Sequence, residues 1–466
     1  MQLFIAKKSI LKTAVVVFLW MSWGVSASAA PLVERWQHDS GAQVALVASP
    51  GIPMLDIRLD FDGGSRFDPP AQAGLASVAA LMSQRGLAAS AQQPALDENQ
   101  LTERWMDLGA QWSVGAGADR LSASLRTLTA PDVLPAAVAL AARQLAHPVW
   151  TGHDPAATQA AQATQAVWQR ERERMAAAWR NARTQPATIA QQRFAAAVYG
   201  NHPYGLESTP DTLERIALAD MQTFWQRHVQ PCHARISLVG AISRAQAQDI
   251  VTQLMAPLQV ARPEACTRLP AVPEVQPLQA ASDIRVPLGT AQAHVLLGQP
   301  GHRRADPDFF PLLLGNYVLG GGGFVSRLTS EVREKRGLSY GVYSYFAPGM
   351  HAGAFAVGLQ TRPDQADQAL AVARQVVQQF VDEGPTEAEL AAAKDFMVNG
   401  FALRIDTNRK LLDNVANMLW FDLPADYLQT WTQAVQAVTT ADIRRAFARV
   451  LQPARMVSVV VGGQGG

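Results

Sequence analysis

"LADMQTFWQRHVQPCHARISLVGAIS" (218–243) and "TTADIRRAFARVLQPARMVSVVVGGQ" (439–464) are one pattern written twice. Each opens a helix with Ala-Asp-Met or Ala-Asp-Ile and breaks at Gln-Pro. Each then passes through Ala-Arg into a Val/Leu/Ser strand that ends at glycine. Asp220 and Asp442 hold the same place in the two copies and stand 222 residues apart, close to half of the chain. The pattern predicts two homologous halves.

The beginnings of the halves agree more loosely. In "MLDIRLDFDGGSRFDPPAQAGLASVAALM" (54–82), Leu55, Ile57, Leu59 and Phe61 alternate with Asp56, Arg58 and Asp60, as in a half-buried strand. A Gly-rich turn and an apolar helix follow. "AQAHVLLGQPGHRRADPDFFPLLLGNYVLGG" (291–321) again reads strand, Asp-Pro turn, helix. The middles, 156–183 and 386–405, are Ala-rich helices. The sign alternation from Arg170 to Arg174 reads as a solvated helix face. Pro257, Pro263, Pro270, Pro273 and Pro277 space out an extended linker. The expected class is α+β, each half a mixed or antiparallel sheet covered by helices. The expected boundaries are 30–255, a linker at 256–283, and 284–466.

Apolar content of 48%, charged content of 17% and a net charge of +1 describe a folded protein without a basic field for nucleic acid. Lys7, Lys8 and Lys12 precede the apolar run "AVVVFLWMSWGV" (14–25) and the small residues "ASA" (27–29). That is the order of a signal peptide cleaved near Ala29. An uncleaved anchor is the competing reading, but its apolar part is short for a span. Cleavage removes three lysines and no acid, leaving a net charge of −2. The expected destination is the bacterial periplasm, with no membrane attachment after cleavage. Cys232 and Cys266 are the only cysteines; in an oxidising space an even count allows them to pair.

Among nine histidines no pair stands at HxxxH or HxxH spacing, so the chain offers no recognisable zinc ligand set. His202 and His302 sit in turn-like contexts. The stretch 315–346, "GNYVLGGGGFVSRLTSEVREKRGLSYGVYSYF", carries what chemistry remains. Gly320, Gly321, Gly322 and Gly323 make a loop that can approach a substrate backbone. "FVSRLTSEVREKR" reads as an amphipathic helix with Phe324, Leu328 and Val332 on one stripe, closed by Gly337. Arg336 leaves the helix and Tyr340 opens a strand. Together they offer a fixed cation and a phenol donor for a carbonyl oxygen gaining charge. The alternative is a helix-end arginine balancing the dipole beside packed aromatics.

These residues, the repeated halves and "NHPYG" (201–205) resemble the insulinase, pitrilysin and mitochondrial processing peptidase family of zinc metallopeptidases. The resemblance implies paired α+β domains closing around an unfolded peptide. It implies an inverted zinc motif H-x-x-E-H on an early helix of one half and an Arg/Tyr pair in the other. Carried over, the zinc motif falls on Ser77, Ala80 and Leu81, and the third ligand falls near Ala176 to Ala178, with Glu173 the nearest carboxylate. None of these positions retains a ligand. The pair falls on Arg336 and Tyr340. The chain is therefore expected to bind no cofactor itself and to serve a zinc-bearing homologous partner subunit, active in peptide hydrolysis only with it. The alternative is a non-enzymatic peptide-binding or assembly protein.

Overall fold

The computed structural model describes residues 31–90, 93–150, 158–261, 266 and 268–463. The segment read as a signal peptide lies outside them. No helix among the described residues is long and apolar enough to cross a membrane.

Eleven strands among the described residues form two sheets. The first contains β1 (Glu34–Gln37), β2 (Gln43–Ala48), β3 (Met54–Phe61), β4 (Gln111–Ala116), β5 (Leu121–Leu128) and β6 (Ala234–Gly240), in the order β1-β2-β6-β3-β5-β4. The second contains β7 (Ser282–Val286), β8 (Ala293–Pro300), β9 (Val342–Phe346), β10 (Ala354–Thr361) and β11 (Val457–Val461), in the order β7-β11-β8-β10-β9. Leaving β1 aside, the two orders are the same, and so is the single parallel pairing, β2 with β6 and β7 with β11. The repeated strands of the sequence are β6 and β11, which hold the same place in the shared strand order. Fold class and duplication are those expected.

The halves are not separately closed. One face of the first sheet packs on helices of its own half, including Leu75–Met82, Leu134–Ala146 and Arg244–Ala261. The other face, with Ala45, Val47 and Val239, is covered by Leu411, Leu412, Val415 and Leu419 of the Asn408–Trp420 helix from the second half. Reciprocally, Ala190, Phe194 and Val198 of the Pro186–Tyr199 helix cover Leu296, Ala356, Val457 and Val459 of the second sheet. Gly298 makes room for this: a methyl there would meet the Phe194 ring at 2.8 Å and the Phe355 carbonyl oxygen at 2.0 Å.

That exchange changes the expected half-buried strand. Asp56 and Asp60 of β3 are 5% and 1% exposed, because the visiting helix roofs their face. Arg126 reaches Asp56 at 2.6 Å, while Arg58 and Arg120 reach Asp60 at 3.0 and 3.3 Å, so the buried carboxylates are paired. The Arg244–Ala261 helix also runs through Pro257 into the stretch read as linker.

Candidate functional site

Two places matter: the helix where zinc ligands would sit and the loop bearing Tyr340. The Leu75–Met82 helix starts at Gly74, whose φ of +106° is left-handed. The Asp68 carboxylate accepts hydrogen bonds from the Gly74 and Ala76 amides at 2.8 and 2.9 Å, satisfying donors at the helix start. Burial pushes its pKa up to about 6 against the opposing pull of those amides. On this helix Ser77 is exposed, Ala80 is buried and Leu81 is half-buried. A hydroxyl, a methyl and an isobutyl group do not make a zinc site.

The helix Thr158–Ala182 passes nearby and shows methyl groups at Ala176, Ala177 and Ala178. Its inward carboxylate is Glu171, whereas Glu173 is exposed. Glu171 is 4% exposed and is met by Arg174 at 2.7 Å and by Arg85 and Arg170 at 3.3 Å. Burial alone would raise its pKa; the arginines reverse that and hold it below the usual carboxylate range. The alternating run is thus no uniformly solvated face. One of its acids is buried and fully paired, and the donors present do not fit the ion.

Cys232 and Cys266 form a disulfide with Cα atoms 6.0 Å apart, tying the turn before β6 to the linker. His233 lies beside them, but the sulfurs are bonded to each other and are not thiolate ligands. His202 is structural too. Its Nδ1 accepts from the Tyr204 amide at 3.1 Å and its Nε2 donates to the Pro273 carbonyl at 2.9 Å. Tyr204, of "NHPYG", donates to Asp119 and accepts from the His351 amide at 3.2 Å, so the motif latches the two halves together.

The loop differs in detail from its expected form. After Gly323 (φ +61°) a short turn over Gly323–Val325 leaves Phe324 and Val325 70% and 73% exposed. Only Leu328 and Val332 of the expected stripe are buried, because Phe324 precedes the helix and lies out of its register. The helix then widens, its Lys335 amide bonding to the Ser330 carbonyl, five residues back, at 3.0 Å. Gly337, at φ +62°, closes it: its amide bonds to Arg333 O at 2.9 Å and the Leu338 amide to Val332 O at 3.0 Å.

Tyr340 lies two residues before β9 rather than within it. The buried Ser339 pins the loop through bonds to the carbonyls of Gly341 (2.6 Å) and Gln360 (2.7 Å). Tyr340 itself is 86% exposed. The guanidinium over its ring is that of Arg333, 4.9 Å from the centroid. Arg336 turns back onto Glu331, bonding its carbonyl at 2.8 Å and its carboxylate at 2.6 Å. Lys335 and Arg336 hold Glu331 below the usual carboxylate range. The expectation set Arg336, the arginine leaving the helix end, beside Tyr340; the cation over the ring is that of Arg333. Gly320 is buried against Ser344 and Leu328, and of the four glycines only Gly321 and Gly323 are exposed. Tyr340 stands at a cleft of about 740 Å³ lined also by Tyr343, His294, Gln360 and Gln191.

The family description "Peptidase M16 inactive domain" matches residues 215–397. The solved structure of a peptidase M16 inactive domain from Pseudomonas fluorescens is 30% identical, with a TM-score of 0.83, over 93% of this chain and 98% of that one. An uncharacterized zinc protease of Streptomyces coelicolor is 26% identical over 286 residues, 59% of this chain and 60% of its own. A non-peptidase homolog of Helicobacter pylori is 33% identical over 158 residues, 33% of this chain and 36% of its own. The chain thus spans less than two thirds of the length of either curated relative.

Proposed function

The chain belongs to the peptidase M16 family, and from that premise we propose that it is the zinc-free subunit of a two-chain periplasmic peptidase. It grips an unfolded peptide and presents Tyr340, with Arg333 against its ring, to a substrate held by a zinc-bearing homologous subunit. One observation carries the reading: Tyr340 is 86% exposed on a loop that Ser339 fixes from beneath. A tyrosine held rigidly in solvent contributes little to the core, but it gives a peptide a phenol donor and a flat face. Phe324 and Val325, exposed beside it, enlarge the apolar surface that a peptide or partner would cover. The phenol O–H would donate to a peptide carbonyl oxygen as charge gathers there, with the Arg333 cation near enough to strengthen it.

Alone, the purified chain should hydrolyse no peptide. With a zinc-bearing homologous subunit present, Tyr340→Phe and Arg333→Ala should each cut turnover by roughly a hundredfold while leaving the assembly intact by size-exclusion chromatography. Arg336→Ala should cost far less, since Glu331 already occupies that side chain, and Lys335→Ala should do nothing. Full activity in both assembled Tyr340 and Arg333 variants would leave peptide binding or assembly as the function. Loss confined to Arg336→Ala would return the catalytic role to that residue.

A further inference from the structure

Between the two halves, away from Tyr340, lies a second cavity of about 500 Å³ whose wall is aromatic and cationic. Among the described residues its charged lining is Arg120, Arg304 and Arg404 against a single acid, Asp119. That acid is already engaged by Arg66 at 3.0 Å, by the Tyr204 hydroxyl and by the Met350 amide at 2.9 Å. Arg304 is the unusual member. Its guanidinium lies 3.6 Å from the Phe309 ring centroid and bonds the Tyr427 hydroxyl at 2.7 Å. Among the described residues no carboxylate comes within ion-pair distance of Arg304 or Arg404. Burial lowers the pKa of Arg304, as it does for a cation lacking a counter-charge.

A second observation points the same way. Trp420, 2% exposed, also lines the cavity, and its indole Nε1 has no hydrogen-bond partner among the described residues. Arg120 and Arg235 lie over its ring at 5.5 and 4.7 Å. Arg120 is paired with Asp60 at 3.3 Å, so the uncompensated charge of the lining is that of Arg304 and Arg404, and the Trp420 N–H adds a buried donor left without an acceptor where such donors are ordinarily satisfied.

We propose that this inter-half cavity is a binding site for a small aromatic carboxylate, its acid group held by Arg304 and Arg404 and its ring packed against Phe309 and Tyr427. Arginine suits the role because its planar fork matches a carboxylate while its face stacks on rings. The cavity has the size of sites for such ligands. The same chemistry is offered by a free aromatic acid and by the carboxyl terminus of a peptide ending in an aromatic residue. The site does not depend on Tyr340 or on a partner subunit.

Calorimetric titration of the full mature chain with N-acetyl-phenylalanine should show saturable one-to-one binding, and the neutral N-acetyl-phenylalanine amide should bind at least about tenfold more weakly. Arg304→Gln should weaken the acid about tenfold or more, and Arg404→Gln several-fold. Arg404 is exposed, so its substitution leaves the melting temperature unchanged and reports even where Arg304→Gln fails to fold. Arg303→Gln, exposed and outside the lining, is the control. N-acetyl-Gly-Gly-Phe binding more tightly than N-acetyl-phenylalanine identifies a peptide terminus; the reverse order identifies a free acid. Equal binding of acid and amide overturns the proposal, as does no binding up to about 10 mM, a strength of only a few kcal/mol. Unchanged affinity in folded Arg404→Gln, or inorganic phosphate binding as well as the aromatic acid, overturns it too.

Discussion

His228 shows how one side chain couples this fold to pH. It lies between Phe67 and Phe224, with ring centroids at 4.9 and 4.3 Å, and its Nδ1–H donates to the Asp62 carbonyl at 2.7 Å. Burial lowers its pKa from the ordinary 6.5 to about 4, the Asp62 bond opposing only in part. Between those values the unfolded chain binds the proton and the folded chain does not, so stability falls as pH drops through that window. Urea unfolding should therefore show the native protein losing about 2 kcal/mol more between pH 7.5 and pH 5 than His228→Gln, whose amide keeps a donor for Asp62. Equal slopes in the two proteins would mean that the ring is protonated without cost. Nothing around His228 in the sequence announced this. Its aromatic neighbours come from a turn 161 residues earlier and from its own helix, and only the latter is visible as spacing. Ser77, Ala80 and Leu81 were the opposite case, legible because the absence of a donor needs no geometry to recognise.

At the scale of elements, the segment from Gly320 to Tyr340 separates packing glycines from open ones. A methyl at Gly320 would lie 2.6 Å from the Ser344 backbone nitrogen and 2.7 Å from Leu328 Cδ1, so the turn can approach β9 only with glycine there. Gly323 has open space around it and only its φ of +61° to protect. Gly320→Ala should destabilise by about 2 kcal/mol or more through overpacking, and Gly323→Ala by about 1 kcal/mol through backbone strain. Denaturant midpoints test the order. A Gly320→Ala protein of native stability that has lost peptide affinity would restore the substrate-facing role the sequence pattern gave this residue. The sequence revealed the glycine cluster, the helix and its Gly337 cap, since each depends on neighbours within a turn. It did not reveal the widened turn, nor that Arg333 rather than Arg336 lies over the Tyr340 ring. Leu328 and Val332 of that helix are buried in a core whose strands are distant in sequence, so local spacing does not record its geometry.

For the molecule as a whole, duplication has been combined with exchange: each half gives a helix to the open face of the other's sheet. The repeat of β6 and β11 was readable because it is local and written twice. The exchange was not, because a helix's apolar stripe says that a face is buried and not against which sheet. Asp56 and Asp60 record the difference, looking solvent-facing by alternation yet lying beneath the Asn408–Trp420 helix. The arrangement predicts that the halves unfold together. Phe194 belongs to the first half of the sequence but packs only 3% exposed on β8, β10 and β11 of the second, in the groove left by Gly298. Phe194→Ala should cost about 3–5 kcal/mol, the range for emptying a buried aromatic site. It should lower the transition of both sheets equally, because neither keeps its second covering layer without the other half. Hydrogen exchange of amides in β3 and β8, read separately in the native protein and in the variant, checks this. Protection lost by the same amount in both strands is the expected result. Loss confined to β8, with β3 unchanged, would mean that the halves are independent cooperative units and that the exchanged helices are only a veneer between them.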